Sequence, residues 1–247
     1  MEDTILEISE SKLKEWHNNW LLWPTSRLDE CLYAVTEPGT LRSQLQRVSR
    51  YELSPDQLER IKKQGPEANH LCVHFCARER PDRNPAQTRS TPIFVPVIEL
   101  VGKKIFLAMQ WQSKIFKSHQ DGTERIALAT ADLFCHGFCQ LPAYELGAIF
   151  EANIETTVVR ANNAAFYTYT KEDISDEEKI EEEIRELLPK VEAVYFDLGI
   201  AAPIPDHPYP FRPILRLETP KTEFFKKQGD NNNSNVYDVA VICPPVC

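Results

Sequence analysis

The stretch HLCVHFC, residues 70–76, alternates imidazole and thiol side chains with apolar ones. Side chains of an extended strand point alternately to its two faces, so Leu71, Val73 and Phe75 would share one face. The two histidines and two cysteines at the even-numbered positions would share the other face. The pattern therefore predicts a β-strand with one buried apolar face and one face of chemically versatile side chains.

A β-hairpin is predicted downstream of this strand, over residues 93–112. Eight apolar side chains fall on one of its faces, so the hairpin should pack against the main core. A two-residue turn at 102–103 sets its register, which pairs Leu100 with Ile105, Ile98 with Leu107, Pro96 with Met109 and Phe94 with Trp111.

The first 66 residues carry helix signals. The clearest start has Ser54 as the cap, Pro55 at the first helical position and Gln57 completing a capping box, with Gly65 and Pro66 as the stop. Apolar residues at three- and four-residue spacing predict two further helices, over 11–24 and 40–50.

Strand patterns outnumber helix patterns after residue 66, and the two do not alternate regularly. We therefore predict an α+β fold: a helical N-terminal part (1–66), then a mostly antiparallel, β-rich part (67–247) with one or two packed helices. No linker composition interrupts the chain, so a single domain over 1–247 is expected. The later predicted strands are 126–134, 165–169, 193–198, 214–217 and 236–242, and the later predicted helices are 142–151 and one that starts at the Ser175 capping box.

Composition narrows the class of protein. The 247 residues include 28 basic and 37 acidic ones, a net charge of −9, so no general attraction to nucleic acid or to an anionic membrane surface is expected. The longest apolar run, 93–101, is too short to span a membrane, and the acidic N-terminus lacks a signal-peptide pattern. Seven cysteines, an odd number, suit reduced thiols. These features predict a soluble cytoplasmic protein.

Glycine usage argues against several common enzyme classes. The eight glycines never fall close enough together to form a dinucleotide-binding loop, a Walker loop or a nucleophile elbow.

A zinc site is one interpretation of the His/Cys strand. Thiolate and imidazole are the ligands that zinc prefers, but alternate residues of one strand lie about 7 Å apart, so only two or three of the four could share an ion. A second C-x3-C pattern at 135–139 could complete the site. The candidate ligands are His70, Cys72, His74, Cys76, Cys135 and Cys139.

Two other interpretations of the same residues compete with zinc. Free cysteine is often buried as a small apolar residue, and we favour that interpretation, with the histidines hydrogen-bonded nearby. A nucleophilic Cys72 or Cys135 is the third alternative, although neighbouring residues of a strand point to opposite faces.

Candidate partner-binding residues fall into two groups. Aromatic side chains near the N-terminus could dock a partner, and arginines of the predicted polar loop 78–91, after the His/Cys strand, could grip phosphate or acidic groups. Helical spacing of the tryptophans equally fits core packing, and solvated loop charge fits the arginines. The candidates are Trp16, Trp20, Arg78, Arg80, Arg83 and Arg89.

The sequence thus favours a protein-binding or regulatory protein without catalytic activity and without a cofactor, and with a protein partner. The alternative is a zinc-dependent enzyme that uses the His/Cys strand.

Overall fold

The structure, a computed structural model, describes residues 7–36, 44–68, 70–80, 91–111, 126–154, 156–166, 187–203, 208–218, 234–237 and 241–243. Helices combine with mostly antiparallel sheets in these residues, which confirms the α+β class. The predicted helix at the Ser175 capping box and the segment 204–207 lie outside the described residues.

The first sheet has five antiparallel strands with the His/Cys strand at its centre. Its order across the sheet is β14 (Val241–Cys243), β10 (Asn163–Phe166), β4 (Leu71–Arg80), β5 (Thr91–Leu100) and β6 (Ile105–Ala108).

The second sheet also has five antiparallel strands. Its order is β13 (Ser234–Tyr237), β12 (Phe211–Glu218), β11 (Ala193–Ile200), β3 (Arg50–Glu52) and β7 (Gln110–Trp111). Two separate antiparallel pairs join β1 (Tyr33–Thr36) to β2 (Gln44–Arg47) and β8 (Glu151–Ile154) to β9 (Thr157–Arg160).

Aromatic side chains from both sheets meet in the main core. The ring of Phe75 in the first sheet lies 6.2 Å from that of Phe196 and 5.4 Å from that of Phe211, both in the second sheet. All three side chains are fully buried. The apolar face that the alternating pattern predicts for β4 is therefore the face that holds the two sheets together.

The hairpin register is confirmed near the turn and wrong at its far end. Leu100 pairs with Ile105 and Ile98 pairs with Leu107, both as predicted. The Met109 N–H still donates to the Pro96 carbonyl at 3.0 Å. Trp111, however, pairs with Tyr51 and not with Phe94, because the chain leaves the first sheet after Met109 and joins the second.

Four α-helices occur in the described residues: α1 (Glu10–Leu22), α2 (Thr25–Cys31), α3 (Pro55–Gln64) and α4 (Ile126–Gln140). The α3 capping box forms as predicted: the Ser54 hydroxyl accepts from the Gln57 N–H, and the Gln57 side chain accepts from the Ser54 N–H. No described helix is long and apolar enough to cross a membrane.

Three predicted elements differ from the structure. The predicted helix over 40–50 is wrong, since β2 and β3 occupy its described part and β3 is held in the second sheet by pairing with β11. The predicted strand over 126–134 is the first part of α4, whose length of 15 residues favours a helix. Two short 3₁₀ turns, Ala143–Glu145 and Ala148–Phe150, replace the predicted helix at 142–151.

A buried charge network ties α4 to the outer face of the second sheet. Asp197, 1% exposed, accepts from Arg50 Nε at 2.6 Å and Nη2 at 2.8 Å, and from Arg216 Nε at 2.5 Å. Arg216 Nη2 also donates to Asp132 of α4 at 2.8 Å. The close packing of this helix also depends on Gly199, where an added Cβ would lie 2.9 Å from the Phe134 Cβ.

Candidate functional site: the groove between α1 and β4

The outer face of β4 carries the predicted His/Cys pattern and is covered by α1. Cys76 is fully buried in a second apolar cluster with Leu13 and Trp16 of that helix. Cys72 is 6% exposed on the same face, two residues from half-buried His74. Both thiols are therefore packed inside the protein, as the core-cysteine interpretation expects.

The side-chain hydrogen bond of His74 goes to a carboxylate. Its Nε2 lies 2.6 Å from Glu99 Oε2, and Glu99 stands opposite Cys72 in the β4/β5 register. The ring of His17, from α1, approaches the His74 ring edge-on at 6.0 Å. Burial lowers the pKa of His17, and the proximity of His74 lowers it further.

The two C-x3-C pairs lie on different elements, one on β4 of the first sheet and the other on α4. Cys135 packs against Ile214 of the second sheet, and Cys139 is exposed at the end of α4. Burial raises the pKa of Cys135 to about 12 and raises the pKa of Cys76 far above its usual range. Nucleophilic attack uses the thiolate, so the protonated form that burial favours opposes it at these two cysteines.

The predicted zinc ligands are only partly brought together. His70 immediately precedes β4, and Cys72, His74 and Cys76 follow at alternate positions along this strand. Among the described residues, no group of three or more His, Cys, Asp or Glu side chains is placed to hold a metal ion. Zinc binding stays a prediction that a metal measurement must test.

Trp16 and Trp20 are core residues. Trp20 is fully buried, its Nε1 donates to the Ala161 carbonyl at 2.8 Å, and its ring lies 4.9 Å from that of Phe150. Trp16 is 3% exposed. A partner cannot reach the Trp20 indole in this arrangement, and the helical spacing of the tryptophans reflects packing.

Side chains of α1 complete the edge of β4 where β10 stops pairing. The Phe75 N–H donates to the Asn162 carbonyl at 3.2 Å, at the end of that pairing. Farther along β4, where β10 no longer pairs with it, side chains of α1 take over: His17 Nδ1 donates to the Phe75 carbonyl at 3.0 Å and Asn19 Nδ2 donates to the Ala77 carbonyl at 3.1 Å. The helix is thus fixed to the strand by hydrogen bonds as well as by apolar packing.

Arg160 fixes the C-terminal end of α1. Its Nη1 donates to the carbonyls of Trp20 at 2.8 Å, Leu21 at 3.2 Å and Trp23 at 2.6 Å, and its Nη2 donates to Glu151 at 2.6 Å. A guanidinium at the end of a helix satisfies carbonyls that have no partner within the helix. The hydrogen bond from Arg160 to the Trp23 carbonyl fixes the backbone of Trp23 at the end of the helix.

A groove of about 380 Å³ lies between α1 and the last residues of β4. Its helical wall uses residues three or four positions apart, which share one face of α1 and its C-terminal end. Its other wall is the end of β4. The lining residues are Lys12, Glu15, Trp16, Asn19, Trp23, Arg78 and Glu79.

Cations are stacked on both tryptophans of the groove. Lys12 Nζ lies 5.7 Å and Arg78 Cζ 5.3 Å from the centre of the Trp16 ring. At the other end, Arg27 Cζ lies 4.2 Å from the centre of the Trp23 ring, and its guanidinium also pairs with Glu79. The groove therefore combines positive charge with the partly exposed ring of Trp23, whereas Trp16 is almost fully buried.

Two of the residues predicted to bind a partner, Trp16 and Arg78, line this groove. Partner binding by these residues stays a prediction. Arg80 is the last residue of β4, whereas Arg83 and Arg89 lie outside the described residues. Lys12 and Asn19 also line the groove but were not predicted from the sequence, although their spacing of four and three residues from Trp16 on a helix was a usable signal.

No protein-family model, curated protein or solved structure matches this chain. Its function must therefore be argued from its own residues.

Proposed function

We propose that this protein is a non-catalytic protein-binding or regulatory protein of the cytoplasm, and that the groove between α1 and β4 holds a segment of its protein partner. The observation that carries the proposal is the groove itself, in which the partly exposed Trp23 lies with Lys12 and Arg78. Tryptophan and arginine are enriched among the residues that dominate binding energy in protein interfaces.

Contacts with the rest of the protein hold the walls of the groove. Trp16 is held by burial and Asn19 by its hydrogen bond to β4, while Arg160 binds the Trp23 carbonyl and Arg27 lies over the Trp23 ring. Side chains that are already ordered lose less conformational entropy when a partner binds.

The size of the groove indicates what it can hold. A volume of about 380 Å³ is at the small end of ligand pockets. It accommodates a few side chains of a short segment, so we expect the partner to insert a peptide-like stretch.

Selection from a random peptide display library tests this proposal, because it requires no choice of partner in advance. We expect enriched peptides whose affinity falls tenfold or more in Trp23→Ala, which removes the aromatic wall, and falls measurably in Lys12→Ala. Leu133→Ala is the matched apolar control, because Leu133 is 67% exposed on α4. Circular dichroism and thermal melting establish that each variant is folded.

Two results would contradict the proposal. One is a selection that enriches no peptide. The other is enriched peptides whose affinity is unchanged by both groove substitutions, or is equally reduced by the Leu133 control.

A further inference from the structure

We infer that Arg160, which is held by Glu151 and does not line the groove, positions Trp23 for binding of the partner. Arg160 and Glu151 belong to the β8/β9 pair, where they stand opposite each other in the register. The inference rests on the proposed function and adds the part of the protein that controls the groove. It follows from how this strand pair holds the corner between α1 and α2 (residues 22–25, the α1–α2 corner).

The Arg160 guanidinium connects the end of α1 to a carboxylate of β8. Its Nη1 donates to the carbonyls of Trp20, Leu21 and Trp23, the last at 2.6 Å. Its Nη2 and Nε donate to Glu151 Oε1 at 2.6 Å and 3.2 Å. One planar side chain with several fixed donors thus serves the backbone of α1 and the carboxylate at the same time.

Glu151 also holds the start of α2. The hydroxyl of Thr25, the first residue of α2, donates to Glu151 Oε1 at 2.7 Å. The same oxygen accepts from Arg160, so the two sides of the α1–α2 corner meet at one carboxylate. Both side chains of the Arg160–Glu151 pair are largely buried, and salt therefore screens this pair less than an exposed one.

The α1–α2 corner carries the aromatic end of the groove. Trp23 directly follows the last residue of α1, and Arg27 Cζ of α2 lies 4.2 Å from the centre of its ring. Arg27 also pairs with Glu79, which lies on the opposite wall. A shift of the corner would therefore change the position of Trp23 relative to β4.

Loss of the Arg160 contact should weaken binding of the partner without removing any group that the partner touches. The last carbonyls of α1 would lose the donor that satisfies them, and the corner would be less ordered. Trp23 would then have to become ordered when the partner binds. Ordering one side chain on binding lowers affinity about two- to tenfold, and Arg160→Gln should cause a loss of this size.

Amide hydrogen exchange tests the positioning without any peptide. The Trp23 N–H donates to the Asn19 carbonyl at 2.9 Å, so its exchange reports on the last turn of α1. We expect this amide to exchange about tenfold faster in Arg160→Gln, because hydrogen bonds from a charged group are lost. The Leu13 amide, which bonds to Ser9 at the other end of α1, should be unchanged.

Affinities for the peptides enriched in the selection connect the position of Trp23 to binding. Arg160→Gln should weaken binding about two- to tenfold when Trp23 is present, and by less than about twofold in the Trp23→Ala protein. A general loss of stability would weaken binding equally in both proteins. Arg160→Lys keeps the charge without the planar fork, so it should give an intermediate loss, and it replaces the glutamine variant if that variant does not fold.

Arg47→Gln is the matched control. Arg47 Nη1 donates to the carbonyls of Phe138 at 2.9 Å and Cys139 at 3.0 Å, at the end of α4. It makes the same kind of contact with a helix whose described residues do not line the groove. Its substitution should lower the melting temperature but leave peptide affinity and exchange of the Trp23 amide unchanged.

The outcomes separate this inference from the proposed function. Peptides whose binding requires Trp23 but not Arg160 overturn the inference and leave the proposed function standing. Unchanged exchange of the Trp23 amide in Arg160→Gln also overturns it, as do equal losses of affinity with and without the Trp23 indole. A selection that enriches no peptide dependent on the groove overturns both.

Discussion

Replacing Asp197 with asparagine should cost a large part of the stability of this protein. The carboxylate is 1% exposed and accepts three hydrogen bonds from Arg50 and Arg216. Asparagine has nearly the same shape, so no cavity forms, but both guanidinium groups would lose the negative charge that they face. Removing one partner of a buried ion pair costs about 3–5 kcal/mol, against a total of about 5–15 kcal/mol for a typical domain.

Urea denaturation followed by circular dichroism measures this loss. With an m-value near 3 kcal/mol per molar, the midpoint of unfolding should fall by about 1 to 1.7 M in Asp197→Asn. Glu59→Gln is the control, since Glu59 is 72% exposed in its pair with Lys62 and should change stability by less than about 0.5 kcal/mol. A loss below about 1 kcal/mol in Asp197→Asn would refute the argument that these groups form one buried unit.

A second variant identifies the cause of that loss. If the cost comes from stranded positive charge, replacing Asp132, Asp197, Arg50 and Arg216 together with apolar residues of similar volume should recover most of the stability, because no charge of the network is then left without its partner. A quadruple variant as unstable as Asp197→Asn would show instead that the attraction within the network is itself required.

Four further expectations follow from other parts of the molecule. Burial lowers the pKa of His17 in the folded protein, so the contribution of this residue to stability is complete above about pH 6.5 and is lost as the pH falls through the folded-state pKa. His17→Gln should flatten this pH dependence of stability in urea titrations. The same substitution at His136, which is exposed, should not. Ser54→Ala should lower the free energy of unfolding by about 1 kcal/mol through loss of the capping box, and an unchanged urea midpoint would argue against it. Gly199→Ala should destabilise by about 1–3 kcal/mol, seen as a lower melting temperature, because its Cβ would be 2.9 Å from a side chain of α4. Mass spectrometry of protein purified without an affinity tag should find less than stoichiometric zinc, unchanged in Cys72→Ser; one zinc per chain that disappears in that variant would support the His/Cys zinc site.

Patterns that depend on neighbouring residues were predictable. The period-two alternation of β4 identified both the strand and its buried face, because side-chain direction in a strand follows from the backbone alone. The capping box at Ser54 is likewise a local arrangement, and it forms as predicted. The hairpin register is correct for the pairs nearest the turn, such as Leu100 with Ile105.

Elements that depend on distant partners were not predictable in the same way. The stretch 40–50 has a helical spacing of apolar residues, but pairing of Tyr51 with Phe196 holds the adjoining β3 in a sheet. The apolar run at 126–134 fits a strand or a helix, and packing over the second sheet accompanies its helical form in α4. The departure of Trp111 from the hairpin similarly depends on its pairing with Tyr51.

The sequence by itself determined that this protein has a strand with one apolar and one His/Cys face, that arginines follow this strand along the chain, and that tryptophans cluster near the N-terminus. Only the tertiary structure decided how those residues are used. It buries Cys72, Cys76 and Trp20 and places Lys12 and Arg78 each beside the Trp16 ring. The physical reason is that local patterns set the direction of a side chain, whereas burial and charge proximity depend on which distant segment packs against it.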